Sequence, residues 1–241
     1  IELGEGTPLV ILHGLMGGLS NFEGVMNFFP NKGYKIVVPE LPVYELPLVN
    51  STVKSLAEFL DGFLKFKKLK DVILLGNSLG GHIALLYAKF HPEMVKGLII
   101  TGSSGLYENA MGDGYPKRGD YDYIRAKSEE VFYDPKVATK EIVDEVFDSV
   151  NDRNKLLRTL AIAKSAIRHN MAKDLPNMLT RTAIIWGAQD GVTPPNVADE
   201  FNSLLPNSDL YWIDKCGHAP MMEHPDRFNE IMFSWMEQYK L

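Results

Sequence analysis

Six short apolar runs punctuate the chain, at 9–12, 35–38, 72–75, 98–101, 183–186 and 210–213, and none alternates with polar positions. A strand that is hydrophobic at every residue is buried on both faces, as in a parallel sheet with helices packed on either side. Between the second and third runs, Val53, Leu56, Ala57, Leu60, Phe63 and Leu64 recur at helical spacing behind the capping candidates Asn50 and Ser51. Directly after the third run a second helical pattern extends from Leu79 to His91-Pro92, where the proline stops it. Strand and helix therefore alternate, which predicts an α/β fold: a mostly parallel, doubly wound sheet with right-handed crossovers.

The rhythm breaks between the fourth and fifth runs, where roughly 80 residues stand in place of the dozen or so that one crossover needs. The pattern inside that stretch is helical. Asp134 followed by Pro135 reads as a helix start, and Leu156, Leu157, Leu160, Ala163 and Ile167 form an apolar stripe opposite Lys155, Arg158, Lys164 and Arg168. This predicts a helical cap at 106–172, inserted into a core made of 1–105 and 173–241. The opening of the cap, 107–122, is rich in Gly, Tyr and Asp and reads as a mobile entrance.

Composition narrows the function classes. With 241 residues, 45% hydrophobic and 23% charged, the chain is long enough for one sizeable core carrying an insertion. A net charge of −6 without a local Lys/Arg cluster gives no footprint for nucleic acid or an anionic membrane. The lone Cys216 excludes an intrachain disulfide framework, and a cytoplasmic location is the default expectation. Val72 to Ala88 is the most apolar stretch, but Asn77, Ser78 and His82 interrupt it, so it reads as strand, turn and helix and not as a membrane span. His13, His82, His91, His169 and His224 have no metal-ligand spacing, so neither a metal nor a cofactor is expected.

The candidate chemistry lies at the ends of the runs. Gly76-Asn77-Ser78-Leu79-Gly80 joins the third run directly to a helix, the setting of a nucleophile elbow: a sharp turn that strains its central residue and leaves no room for flanking side chains. Asp190 follows the fifth run and His218 the sixth, giving the chain order Ser, Asp, His. Asp214 is a rival acid only four residues before His218, where capping the same turn is the simpler role. Cys216 reads as a small buried residue, while Met111, Met221 and Met222 are candidates for an adaptable apolar pocket.

With these residues in place, the sequence resembles the α/β-hydrolase family, whose triad order this is and whose early loop often carries an HG turn such as His13-Gly14-Leu15-Met16-Gly17-Gly18. The resemblance implies Ser78 as nucleophile, His218 as base and Asp190 as the acid that orients it. It also implies an oxyanion hole from the backbone N–H groups of Leu15 and Leu79, with His13 bracing the loop and a small molecule as the substrate. One or two antiparallel strands are expected ahead of the run at 9–12, upstream of Ile1. Within the family, Gly76-Asn77-Ser78-Leu79-Gly80-Gly81, Cys216-Gly217-His218 and Glu223-His224-Pro225 are similar to serine hydrolases that cleave carbon-carbon bonds of aromatic ring-fission products. Phe132-Tyr133-Asp134 and Thr139-Lys140-Glu141-Ile142 keep the frame of those enzymes' caps, but Val146 stands where their carboxylate-holding arginine is expected and Ala219 follows His218. Hydrolysis of a small or medium acyl ester is therefore the leading expectation. Carbon-carbon bond cleavage and a triad-retaining small-ligand receptor are the alternatives.

Overall fold

The computed structural model describes residues 1–109 and 116–241. Its strands are β1 (Glu2–Leu3), β2 (Thr7–Leu12), β3 (Tyr34–Val37), β4 (Val72–Asn77), β5 (Val95–Thr101), β6 (Thr182–Gly187) and β7 (Ser208–Ile213). They form one sheet in the order β1-β3-β2-β4-β5-β6-β7, parallel throughout except for the antiparallel β1–β3 pair. One antiparallel strand, β1, precedes β2 within the chain itself. At two residues, β1 carries no apolar run, which is why the pattern misses it.

The helices are α1 (Glu23–Phe28), α2 (Val53–Lys67), α3 (Leu79–Phe90), α4 (Tyr121–Glu129), α5 (Lys140–Asn151), α6 (Arg153–Arg168), α7 (Pro195–Leu204), α8 (Pro220–Glu223) and α9 (Pro225–Tyr239). Successive strand residues enter two separate cores. Val10, Leu12, Leu74, Leu98, Ile184 and Trp186 pack with α2, α3 and α7, whereas Leu9, Ile11, Ile73, Leu75, Ile99 and Ile185 pack with α1 and α9. The strand period of two is present, but both faces are covered, so the sequence shows continuous apolar runs.

Some local readings shift. The N-cap of α2 is Thr52, whose Oγ1 accepts from Ser55 N at 3.1 Å, while Asn50 closes a preceding 3-10 turn. Asp134 caps only the 3-10 turn Pro135–Val137, and the helix proper starts behind Thr139. The stripe on α6 is also rotated: Thr159, Ile162 and Ala166 are its buried positions, whereas Leu157 and Ile167 are 41% and 47% exposed. The reason is that α6 packs sideways. Its Ser165 Oγ accepts from Val53 N at 3.2 Å, and Arg158 Nε donates to Leu46 O at 2.8 Å, so its inward face meets α2 and the loop before it.

Chain order reverses beside β2. From it the chain goes to β3 on one side and then returns to β4 on the other, with Leu12 level with Gly76. The carboxyl ends of β2 and β4 therefore open a crevice at a topological switch point, where open α/β sheets bind ligands.

Candidate active site

Ser78 occupies the turn between β4 and α3 at φ 55°, ψ −118°, outside the helical and extended regions that ordinary residues adopt. The chain folds this sharply because its neighbours lack side chains. A Cβ on Gly76 would overlap the Gly80 carbonyl group, and one on Gly80 would overlap Leu12 O. Asn77 and Leu79 are buried while Ser78 is half-buried, so the turn leaves the serine the most open of the three residues at the cavity wall.

The loop after β2 runs close alongside. A Cβ on Gly14 would lie 3.4 Å from that of Ser78. Leu15 and Leu79 line the same cavity as Ser78, and Leu79 is the first residue of α3, where a helix leaves its N–H without an internal partner. His13 Nδ1 pairs with Gly14 O at 2.8 Å, and burial holds the imidazole below its usual pKa, so it braces the loop as a neutral donor.

His218 and Asp190 meet across the ends of β6 and β7, both buried, with Nδ1 donating to Asp190 Oδ2 at 2.9 Å. Asp190 Oδ1 also accepts from the backbone N–H of Val192 (2.8 Å) and Thr193 (2.9 Å), and Thr193 Oγ1 donates to Oδ2 at 2.9 Å. The carboxylate is thereby fixed before it meets the imidazole. Burial alone would depress the His218 pKa, but the charge and hydrogen bond of Asp190, with Glu108 and Glu223 behind them, outweigh it and raise the pKa above the ordinary value. Asp214 is exposed and accepts from Gln189 Nε2 at 2.9 Å, away from this pair.

Several supporting residues were not anticipated from sequence. Asn77 Nδ2 donates to both Thr101 O and His218 O at 3.1 Å, tying the elbow to the histidine loop. Glu223 accepts from Gly217 N at 2.7 Å, Tyr133 N at 2.8 Å and Asp134 N at 3.3 Å, while His218 N donates to Val131 O at 2.9 Å. His82, wholly buried, pairs through Nε2 with His169 Nδ1 at 3.0 Å, and burial together with His169 pushes its pKa down to about 3. That pair links α3 to the end of α6. The polar or acidic character of these residues is visible in the sequence, but their partners lie 24 to 141 positions away, apart from the six-residue Gly217–Glu223 contact.

Ser78 and His218 open onto a cavity of about 180 Å³ whose walls include Met16, Phe132, Ile142, Val146, Ala163 and Met222. Met221 is in the core and Met111 lies outside the described residues, as does 110–115 of the expected entrance. Burial pushes the Cys216 thiol far up, which keeps it protonated and unreactive. Among the described residues no group of three or more His, Cys, Asp or Glu is placed to hold a metal, and no helix is long and apolar enough to cross a membrane.

Comparison with known proteins agrees with this geometry. A family model described as "alpha/beta hydrolase fold" matches residues 7–225. The chain is 56% identical to the crystal structure of an alpha/beta hydrolase enzyme, MGS-MChE2, from the metagenome of sediments of the Mar Chica lagoon, covering 100% of this chain and 95% of that one with a TM-score of 0.83. It is 26% identical to a Pseudomonas 2-hydroxy-6-oxononadienedioate/2-hydroxy-6-oxononatrienedioate hydrolase, over 98% of this chain and 90% of the relative. An esterase from Exiguobacterium antarcticum shares the fold at 22% identity and a TM-score of 0.86, covering 98% of this chain and 94% of that one.

Proposed function

Because the chain belongs to the alpha/beta hydrolase fold family and is a hydrolase, we propose that it cleaves small or medium neutral acyl esters through a serine-bound acyl intermediate. The observation that carries this reading is the buried His218–Asp190 pair at the mouth of the cavity into which the strained Ser78 rises. With Nδ1 committed to Asp190, His218 keeps Nε2 for the proton of Ser78 as Oγ attacks the carbonyl carbon. Asp190 holds the tautomer and stabilises the imidazolium. The N–H groups of Leu15 and Leu79 receive the negative oxygen of the tetrahedral intermediate, and His218 returns its proton to the departing alcohol. Water repeats the attack on the acyl enzyme. Residues 106–172 act as the cap over this site, and the cavity size, close to that of an engineered cavity that takes up benzene, suits a compact acyl group.

Carbon-carbon bond hydrolysis of ring-fission diketones is the second reading, favoured by the elbow and Cys216-Gly217-His218 motifs and by the activity named for the Pseudomonas relative. The cavity wall argues against it. Val146 lines the cavity, as do the carboxylates of Glu108 and Glu145. Arg125 pairs with Asp122 at 2.9 Å, Arg158 donates to Leu46 O, and neither they nor Arg153 and Arg168 line the cavity. Lys127, the cation among the described wall residues, is already held by Glu130 at 2.6 Å, and a buried substrate carboxylate without a free partner costs several kcal/mol, with each 1.4 kcal/mol or so tenfold in rate. Fluorophosphonate labelling followed by peptide mapping tests the nucleophile, with the label expected on Ser78 alone. Comparing kcat/KM for neutral esters and acidic diketones tests the bond cleaved: faster turnover of the diketone replaces the ester reading.

A further inference from the structure

Besides His218, three ionisable side chains among the described residues line the cavity: Glu108, Lys127 and Glu145. Lys127 Nζ is held by Glu130 at 2.6 Å, so the cavity retains two carboxylates against one cation that is already paired. The carboxylates stand at different ends. Asn109 fastens the Glu108 segment to the loop just after Asp190, its N donating to Val192 O at 2.8 Å and its Nδ2 to Gly191 O at 2.9 Å. Glu145 reaches the oxyanion loop instead, where a Cβ on Gly18 would lie 3.7 Å from its Oε1. Glu108 therefore stands beside the acid–base pair, and its half-burial in an apolar wall raises its own pKa while the His218 charge opposes the rise.

The base hands its proton to the leaving alcohol, so the leaving group departs past His218 and, with it, past Glu108. We propose that Glu108 makes this end of the site select esters whose alcohol carries a positive charge and reject those whose alcohol carries a carboxylate. The inference rests on the serine-esterase reading and adds to it the charge class of the substrate. Physically, an ammonium group near Glu108 in a poorly solvated wall replaces the water that the carboxylate has lost, whereas a second carboxylate meets like charge.

Three butyrate esters test it: those of choline, of 3,3-dimethylbutanol, which has the same shape without the charge, and of 3-hydroxypropanoate. At pH 8 and low salt, kcat/KM should fall from the first to the second to the third by about tenfold per step. Glu108→Gln, which keeps the shape, should bring the three within about threefold, and Glu108→Lys should invert the order, with fluorophosphonate titration counting the competent sites. Glu145→Gln, at the other end, should shift these ratios less than about twofold. Equal turnover of the three esters by the unaltered protein, or ratios that survive Glu108→Gln, overturns the proposal. If no ester is hydrolysed, the esterase reading has failed on its own. Calorimetric binding of the corresponding uncleavable butyl ethers then decides the charge selection: the same order upholds it, and equal affinities overturn it.

Discussion

In the sheet, residues such as Leu9, Leu74 and Ile184 are wholly buried and pack into two continuous cores. The segment between β5 and β6 has a cluster of its own with only Ile124, Val143 and Val150 fully buried, and many of its charged side chains pair on the surface, as Lys140 does with Asp144. The candidate reacting groups hang from the first region: Ser78 ends β4, and Asp190 and His218 follow β6 and β7. Much of the cavity wall, from Lys127 to Ile167, comes from the second. The candidate chemistry thus hangs from the part of the molecule that costs most to deform, and the candidate recognition surface from the part that opens or shifts most cheaply.

The sharpest way to break this contrast is to remove the nucleophile. Ser78→Ala should retain the fold by circular dichroism and lose about 10⁶-fold in kcat, the scale seen when a hydrolase nucleophile is deleted. Substantial residual turnover would move the chemistry away from the elbow. Next, Asp190→Asn should lower kcat by about 10⁴, while Asp214→Asn changes it less than about twofold, since Asp214 is exposed and is held by Gln189 and the Lys215 backbone. Reversed effects in steady-state assays would exchange the two roles.

Stability should separate the regions as clearly as activity does. Leu74→Ala, inside the sheet, should cost about 2–5 kcal/mol in urea unfolding. Acidity gives a smaller effect. Turnover needs neutral His218, and its raised pKa moves the acidic limb of kcat/KM above the ordinary histidine value of about 6.5, with roughly tenfold loss per pH unit below it. The same raised pKa means that the charged His218–Asp190 pair contributes stability below about 6.5, which is lost as pH climbs through the folded value, so the low-pH loss of activity should occur without unfolding. A limb at or below 6.5 would contradict the environment described. The smallest effect is expected at the edge of the contrast: Leu157→Ala, on the exposed side of α6, should change stability by less than about 0.5 kcal/mol.

The sheet was largely legible in the sequence because a strand buried on both faces writes its burial into every residue, as 72–75 and 183–186 do. The elbow was legible because its glycines are adjacent to the serine in sequence. Between β5 and β6 the pattern announced helices but misjudged their faces. Ala163, Ala166 and Ile167 of α6 border the cavity while Ile162 and the inner side of Ala166 pack against the rest, and periodicity alone cannot tell a face that meets a void from one that meets a core. Asn77, Glu223 and Glu108 escaped for a different reason, each working with a distant neighbour brought close by folding, whereas Thr193 sits three residues from Asp190 and reads in sequence as an ordinary turn residue.

The Glu223 contacts have a consequence for how such a protein diversifies. Its carboxylate grips the backbone N–H groups of Tyr133 and Asp134, and His218 N grips the carbonyl of Val131, so the histidine loop meets that segment largely through its backbone, with Phe132 packed alongside. Side chains from 116 to 172 that do not reach the core, unlike those of Arg158, Ser165 and His169, are then free to drift while the candidate proton shuttle stays aligned, as long as one short bend keeps its trace. New appetites for substrates can be acquired on one side of that seam without relearning the chemistry on the other.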